Sequence, residues 1–86
     1  MEKEHIKTTL LLKGIDIKST ITYTVNDTLY TLSFEKIVED FFLTESSRTF
    51  FIEGFEKVKN SKNAVIEEFF QQMGQLLIMS SLSQKL

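Results

Sequence analysis

Eighty-six residues with a net charge of −2 are expected to form one small domain, with a modest core and no global positive field to draw it to nucleic acid or anionic lipid. The chain has no cysteine, which excludes disulfides, thiolate nucleophiles and cysteine-based zinc sites together. Eight of the ten aromatic residues are Phe, a choice that favours packing over polar ligand chemistry.

The opening stretch, MEKEHIKTT, is charged and lacks the apolar segment of a signal peptide. The longest uninterrupted apolar run, Leu76-Leu77-Ile78-Met79, falls far short of the ~20 residues that span a bilayer. A cytoplasmic protein with no membrane segment is therefore expected.

Over the first 34 residues apolar side chains recur with period two. Between 15 and 25 the odd positions are Ile15, Ile17, Ser19, Ile21, Tyr23 and Val25, and the even ones Asp16, Lys18, Thr20, Thr22 and Thr24. Such alternation marks a half-buried strand. Lys13-Gly14 and Asn26-Asp27 flank it as turn signals, because Gly, Asn and Asp tolerate positive φ. The expectation is a three-stranded antiparallel meander, with strands over about 5–12, 15–25 and 28–33. Closing the first hairpin on Lys13-Gly14 sets Leu12 opposite Ile15, Leu10 opposite Ile17 and Ile6 opposite Ile21. Closing the second on Asn26-Asp27 sets Tyr23 opposite Tyr30, Ile21 opposite Leu32 and Ser19 opposite Phe34. The large side chains then share one face. The other face carries Lys7, Thr9, Lys18, Thr20, Thr22, Thr24 and Thr31, with Leu11 and Leu29 as exceptions. Asn26-Asp27-Thr28 matches a glycosylation sequon in form, but reads as the hairpin turn.

From Ser33 the period becomes helical. Ser33 is a candidate N-cap, and Phe34, Ile37, Val38, Phe41 and Phe42 form the apolar stripe of a helix over about 34–43. Thr44-Glu45-Ser46-Ser47 breaks the pattern and offers new caps. A second helix over about 47–59 carries Phe51, Ile52, Phe55 and Val58, with Gly54 inside it. After Asn60-Ser61-Lys62-Asn63 a last helix runs over about 64–82, its apolar side made of Val65, Ile66, Phe69, Phe70, Met73, Leu76 and Leu77. The whole reads as a single small α+β domain, two or three helices packed on one face of the sheet.

The last helix holds an anomaly. Four consecutive apolar residues, Leu76 to Met79, step through roughly 300° of helix circumference, whereas packing on one sheet buries only a stripe. Gly74 and Ser81 share a face with Phe70, Leu77 and Ile78, and small residues there would let another helix approach closely. Either the second helix covers this face within the chain, or a second copy does. The second alternative predicts a homodimer with Phe70, Gly74, Leu77, Ile78, Ser81 and Leu82 at a partner or dimer interface.

Candidates for chemistry are few. His5 is the only histidine and sits near a charged terminus, where it reads as a solvated strand-end residue. Lys36 with Asp40 and Glu53 with Lys57 are i, i+4 pairs that dress a solvated helix face. Ser46-Ser47-Arg48 lacks the Gly-x-Ser-x-Gly context of an activated serine, and Gly14, Gly54 and Gly74 are too scattered for a phosphate loop. No catalytic, cofactor or metal residue is assigned. The expected function is binding another protein, as a small adaptor, inhibitor or chaperone-like factor of the kind a mobile element or phage encodes. The alternative is a nucleic-acid-binding module using the threonine-rich sheet face with Lys7 and Lys18, helped by Lys57, Lys59 and Lys62. Against it stand a single Arg, Arg48, and no aromatic on the exposed face to stack on bases. An enzyme with an unrecognised carboxylate site is the third reading, and nothing singles out its residues.

Overall fold

The computed structural model describes residues 2–83. They form α1 (Glu2–Leu12), β1 (Thr20–Val25), β2 (Thr28–Ser33), α2 (Phe34–Phe41), α3 (Glu45–Val58) and α4 (Asn63–Ser83). The architecture is α+β, but the sheet is a two-stranded antiparallel hairpin, β1 beside β2. The expected three-stranded meander is not formed.

The segment expected as the first strand is α1. Ile6 and Leu10 satisfy an i, i+4 helical stripe as well as they satisfy strand alternation, and both are buried. Leu12, which a strand would have turned inward, is exposed together with Leu11. Lys13-Gly14 ends a helix rather than closing a hairpin. Gly14 takes φ of 77°, its N–H donates to the Leu11 carbonyl at 2.9 Å, and the Ile15 N–H donates to the Leu10 carbonyl at 2.9 Å. That pair of bonds is the Schellman motif, whose accompanying apolar contact joins the residue after the glycine to the last buried turn. Ile15 and Leu10 are both members of the core. The chain then turns again: Asp16 accepts the Lys18 N–H on Oδ1 and the Ser19 N–H on its carbonyl, each at 2.9 Å. This Asx turn delays the strand to Thr20. Lys7 and Thr9 therefore lie on a helix and Lys18 in a turn, not on a sheet face.

The second hairpin closes on Asn26 and Asp27, at φ of 53° and 62°, as a two-residue turn with two left-handed residues requires. Its pairs include Ile21 with Leu32, Tyr23 with Tyr30 and Val25 with Thr28. Two further bonds, Phe34 N–H to Ser19 carbonyl at 3.1 Å and Glu35 N–H to Ile17 carbonyl at 2.8 Å, carry the ladder into the start of α2. Ser33 caps α2, its Oγ accepting the Lys36 N–H at 3.0 Å. Thr44 caps α3 in the same way through the Ser47 N–H at 3.2 Å. The Ser47 hydroxyl donates to the Phe41 carbonyl at 2.7 Å and ties the α2–α3 corner together.

The core is a cluster of phenylalanine rings. Phe51 of α3 sits at its centre, 5.2 Å from both Phe41 and Phe69 and 5.6 Å from Phe70 by ring centroid. Gly54 lets α3 approach α4, because a Cβ there would lie 2.6 Å from the Phe69 ring. The hairpin meets α4 through Tyr23, which is buried and donates its hydroxyl to the Phe70 carbonyl at 3.0 Å. Burial pushes the Tyr23 phenol from 10.0 up to about 12. α1 is held to α2 at its exposed side by charge. The Lys3 Nζ lies 3.0 Å from both carboxylate oxygens of Glu39, and Lys7 lies 3.6 Å from Glu35 and 3.8 Å from Glu39.

Candidate protein interface

α4 changes character along its length. From Ile66 as far as Gly74 its apolar side chains have partners within the chain: Ile66 and Phe70 are fully buried, and Phe69 and Met73 nearly so, whereas Val65 in the first turn is exposed. Gly74 faces Tyr23, whose hydroxyl occupies the space that a Cβ would need. The small residue therefore receives a tyrosine of the same chain rather than a neighbouring helix.

Beyond Gly74 two apolar surfaces remain. On one side Leu77, Ile78, Ser81 and Leu82 form a groove of about 210 Å³ with Tyr30 and Leu32 of β2 and Asp40 of α2. The single carboxylate in that lining is matched by Lys36, whose Nζ lies 3.0 Å from Asp40 Oδ1. On the other side Leu76 and Met79 stand 46% and 50% exposed. At 100° per residue they point roughly 200° away from Ile78 and Ser81 respectively, so the two surfaces lie on opposite flanks of one helix. Phe50 on α3 and Leu43 in the α2–α3 corner are also exposed.

The groove runs beside a strand edge. The Val25–Thr28 pair closes a two-residue loop and so exchanges both its hydrogen bonds; alternation then points the backbone groups of Leu29 and Thr31 away from β1. The bond from Phe34 N–H to the Ser19 carbonyl fits the same alternation. Among the described residues no backbone group outside the ladder meets Leu29 or Thr31. β2, with the sequence TLYTLS, carries no charged residue and no proline, the two devices that usually protect an open edge.

Of the six residues expected at an interface, Phe70 and Gly74 are enclosed within the chain, while Leu77, Ile78, Ser81 and Leu82 line the groove. Tyr30 and Leu32 were not foreseen there. Their inward orientation is legible from the hairpin register, but the passage of α4 beneath the hairpin leaves no local pattern. The five lysines considered for nucleic acid do not converge on the sheet. Lys7 faces Glu35 and Glu39, Lys18 is exposed in its turn, and Lys57, Lys59 and Lys62 lie at the α3–α4 junction, where Lys59 pairs with Glu56 at 2.8 Å. His5 is exposed on α1 and lines a shallow cavity of about 300 Å³ with Thr9, Leu12, Lys13, Lys59 and Asn60. The Lys13 ammonium there donates to the Ser61 carbonyl at 2.9 Å.

Among the described residues no three His, Asp or Glu side chains come together to hold a metal ion, and no helix is long and apolar enough to cross a membrane. No protein-family model, no curated protein and no solved structure matches this chain.

Proposed function

We propose that this chain is a non-enzymatic protein-binding module that works as a homodimer. The observation that supports it is the C-terminal half of α4, apolar on two opposite flanks, of which the chain covers one only in part and leaves the other open. A groove lined by Leu77, Ile78 and Leu82 opens on one side, and Leu76 and Met79 stand exposed on the other. Apolar surface of this kind marks an interaction site more often than chance exposure. Two such surfaces on one small chain suit a dimer that keeps a second face for a different protein, the arrangement an adaptor, inhibitor or chaperone-like factor needs. The nucleic-acid alternative draws little support, because Lys7, on α1, is paired with carboxylates and Lys18 lies in a turn rather than on a sheet face.

Light scattering across a concentration series tests the self-association directly. A mass of twice the chain's 10.0 kDa at tens of micromolar is the expected result, little changed by salt because the surfaces are apolar. A mass of one chain throughout the series would contradict it.

A further inference from the structure

We infer that the second copy is added as a strand: two chains pair antiparallel along β2, with the two-fold axis passing beside Tyr30, to make one continuous four-stranded sheet. This rests on the self-association proposed above and names where it occurs.

Three features of β2 point to its own copy as the occupant. The first is hydrogen-bonding parity. Leu29 and Thr31 present their N–H and C=O groups outward, two residues apart, on either side of Tyr30. An antiparallel copy related by a two-fold at Tyr30 sets Leu29 opposite Thr31 and Thr31 opposite Leu29, so both outward pairs are satisfied at once. Tyr30 then faces Tyr30 as the intervening pair without hydrogen bonds. A shift by one residue would oppose inward groups to outward ones. A shift of the axis to Thr31 would drive the pairing into Ser33, where the chain already turns into α2. The Tyr30 register is the one that uses the free edge and stops short of the helix.

The second feature is charge. The edge from Thr28 to Ser33 is uncharged, and the one carboxylate in the adjoining groove is neutralised by Lys36. Bringing two such surfaces together buries no unmatched charge and opposes no like charges, which a self-interface must achieve because every residue meets its own kind.

The third feature is the groove. A two-fold perpendicular to the sheet keeps the inner faces of both hairpins on the same side. Each Tyr30 thus arrives against the other's groove, flanked by Leu32 and the C-terminal turns of α4. Leu29, which is 70% exposed on the outer face, gains Thr31 of the second copy as a cross-strand neighbour. A hairpin alone is a marginal sheet, and four strands with helices beneath is a stable one. The β1 edge is less available, because a cavity there is shared by Thr20 and Thr22 with Glu67 and Gln71 of α4, which places a carboxylate beside it.

The test uses the absence of cysteine from the wild-type chain. In the proposed register the two Tyr30 Cα atoms lie about 4.5 Å apart, within the span of a disulfide. Tyr30→Cys is expected to become a disulfide-linked dimer under mild oxidation, whereas Leu76→Cys, on the opposite flank of α4, stays a single chain on a non-reducing gel. Thr31→Pro removes an outward N–H and no ladder bond, and should weaken the dimer at least tenfold. Thr22→Pro makes the same change on the β1 edge and should leave the dimer unaltered. Should a variant lose its fold by circular dichroism, the wild type still decides: in a mixture of labelled and unlabelled chains, a filtered nuclear Overhauser effect is expected between the α-protons of Tyr30 in the two copies. A wild-type dimer that shows no such contact, or that forms the disulfide at Leu76→Cys instead of Tyr30→Cys, overturns this geometry and leaves the self-association standing. A wild-type monomer at all concentrations overturns both. A monomer whose Leu29 and Thr31 amides become protected only on adding a foreign peptide overturns the choice of occupant.

Discussion

The two halves of α4 are built from the same kinds of residue but differ in what surrounds them. From Ile66 to Gly74 the apolar side chains form one stripe, and α3, α2 and the hairpin fill the space above it with Phe51, Phe55, Phe34 and Tyr23. From Leu76 to Leu82 the apolar residues spread around the helix, and the hairpin reaches only part of them. The first half is a core element, and the second half of the same helix keeps apolar surface that the chain does not enclose. Hydrophobicity alone does not distinguish them; the number of neighbouring elements does.

That contrast can be broken most sharply by truncating one side chain in each half. Phe70→Ala removes a ring packed against Phe34, Phe51 and Phe69 and should destabilise the chain by about 3–5 kcal/mol in urea unfolding. Leu76→Ala and Met79→Ala should stay within about 0.5 kcal/mol of wild type. Equal losses in both halves would erase the distinction. Gly74→Ala tests the boundary between them. Its Cβ would meet the Tyr23 hydroxyl, and Tyr23 is fixed by its bond to the Phe70 carbonyl. A loss of about 1–3 kcal/mol is expected, as for overpacking a filled core.

A smaller effect sharpens the role of Tyr23. Its phenol is raised from 10.0 to about 12 in the folded chain, so the neutral form is the one the fold accommodates. The associated stability is complete below pH 10 and is lost as the pH rises towards 12. Tyr23→Phe should abolish that alkaline decline and lower stability at neutral pH by about 1 kcal/mol, the usual worth of one hydrogen bond. The smallest effect concerns the clasp between α1 and α2. The hydrogen bond from Lys3, aided by the charge of Lys7, holds the Glu39 carboxyl below its ordinary value, although partial burial pulls the other way. A depressed carboxyl stabilises the fold above the ordinary carboxylate value near 4.5 and ceases to do so as the pH falls through its folded value. Glu39→Gln should therefore flatten a small part of the acid limb of a stability–pH curve, and added salt should reduce the difference.

The parts of the fold legible in the sequence are those with a single local solution. Asn26-Asp27 admits a two-residue turn that sets Tyr23 against Tyr30, and Ser33 followed by Phe34, Ile37, Val38 and Phe41 admits one capped helix. The N-terminal segment has two solutions. Ile6 and Leu10 fit either period, and Gly14 serves a hairpin or a helix end equally well through its positive φ. Leu11 and Leu12 carry the discriminating information, since only a helix can leave both of them outside while keeping Leu10 in. Asp16 was the second clue, a side chain placed to close a turn where a strand was expected. The candidate interface was half legible for a related reason. The apolar excess of α4 is visible in the residues from Leu76 to Met79, but which of them a strand covers depends on where a hairpin 50 residues earlier comes to rest. Removing the first strand also changes the meaning of β1, which the meander would have made a central strand and which the hairpin leaves, like β2, as an edge.

Those two edges allow the most direct test of the central claim. Amide hydrogen exchange should be measured on the wild-type chain at high and low concentration, comparing Leu29 and Thr31 on the β2 edge with Thr22 and Thr24 on the β1 edge. Protection of Leu29 and Thr31 that rises with concentration, while Thr22 and Thr24 exchange freely throughout, is the result predicted for chains that join along β2. Equal, concentration-independent exchange at both edges would contradict it.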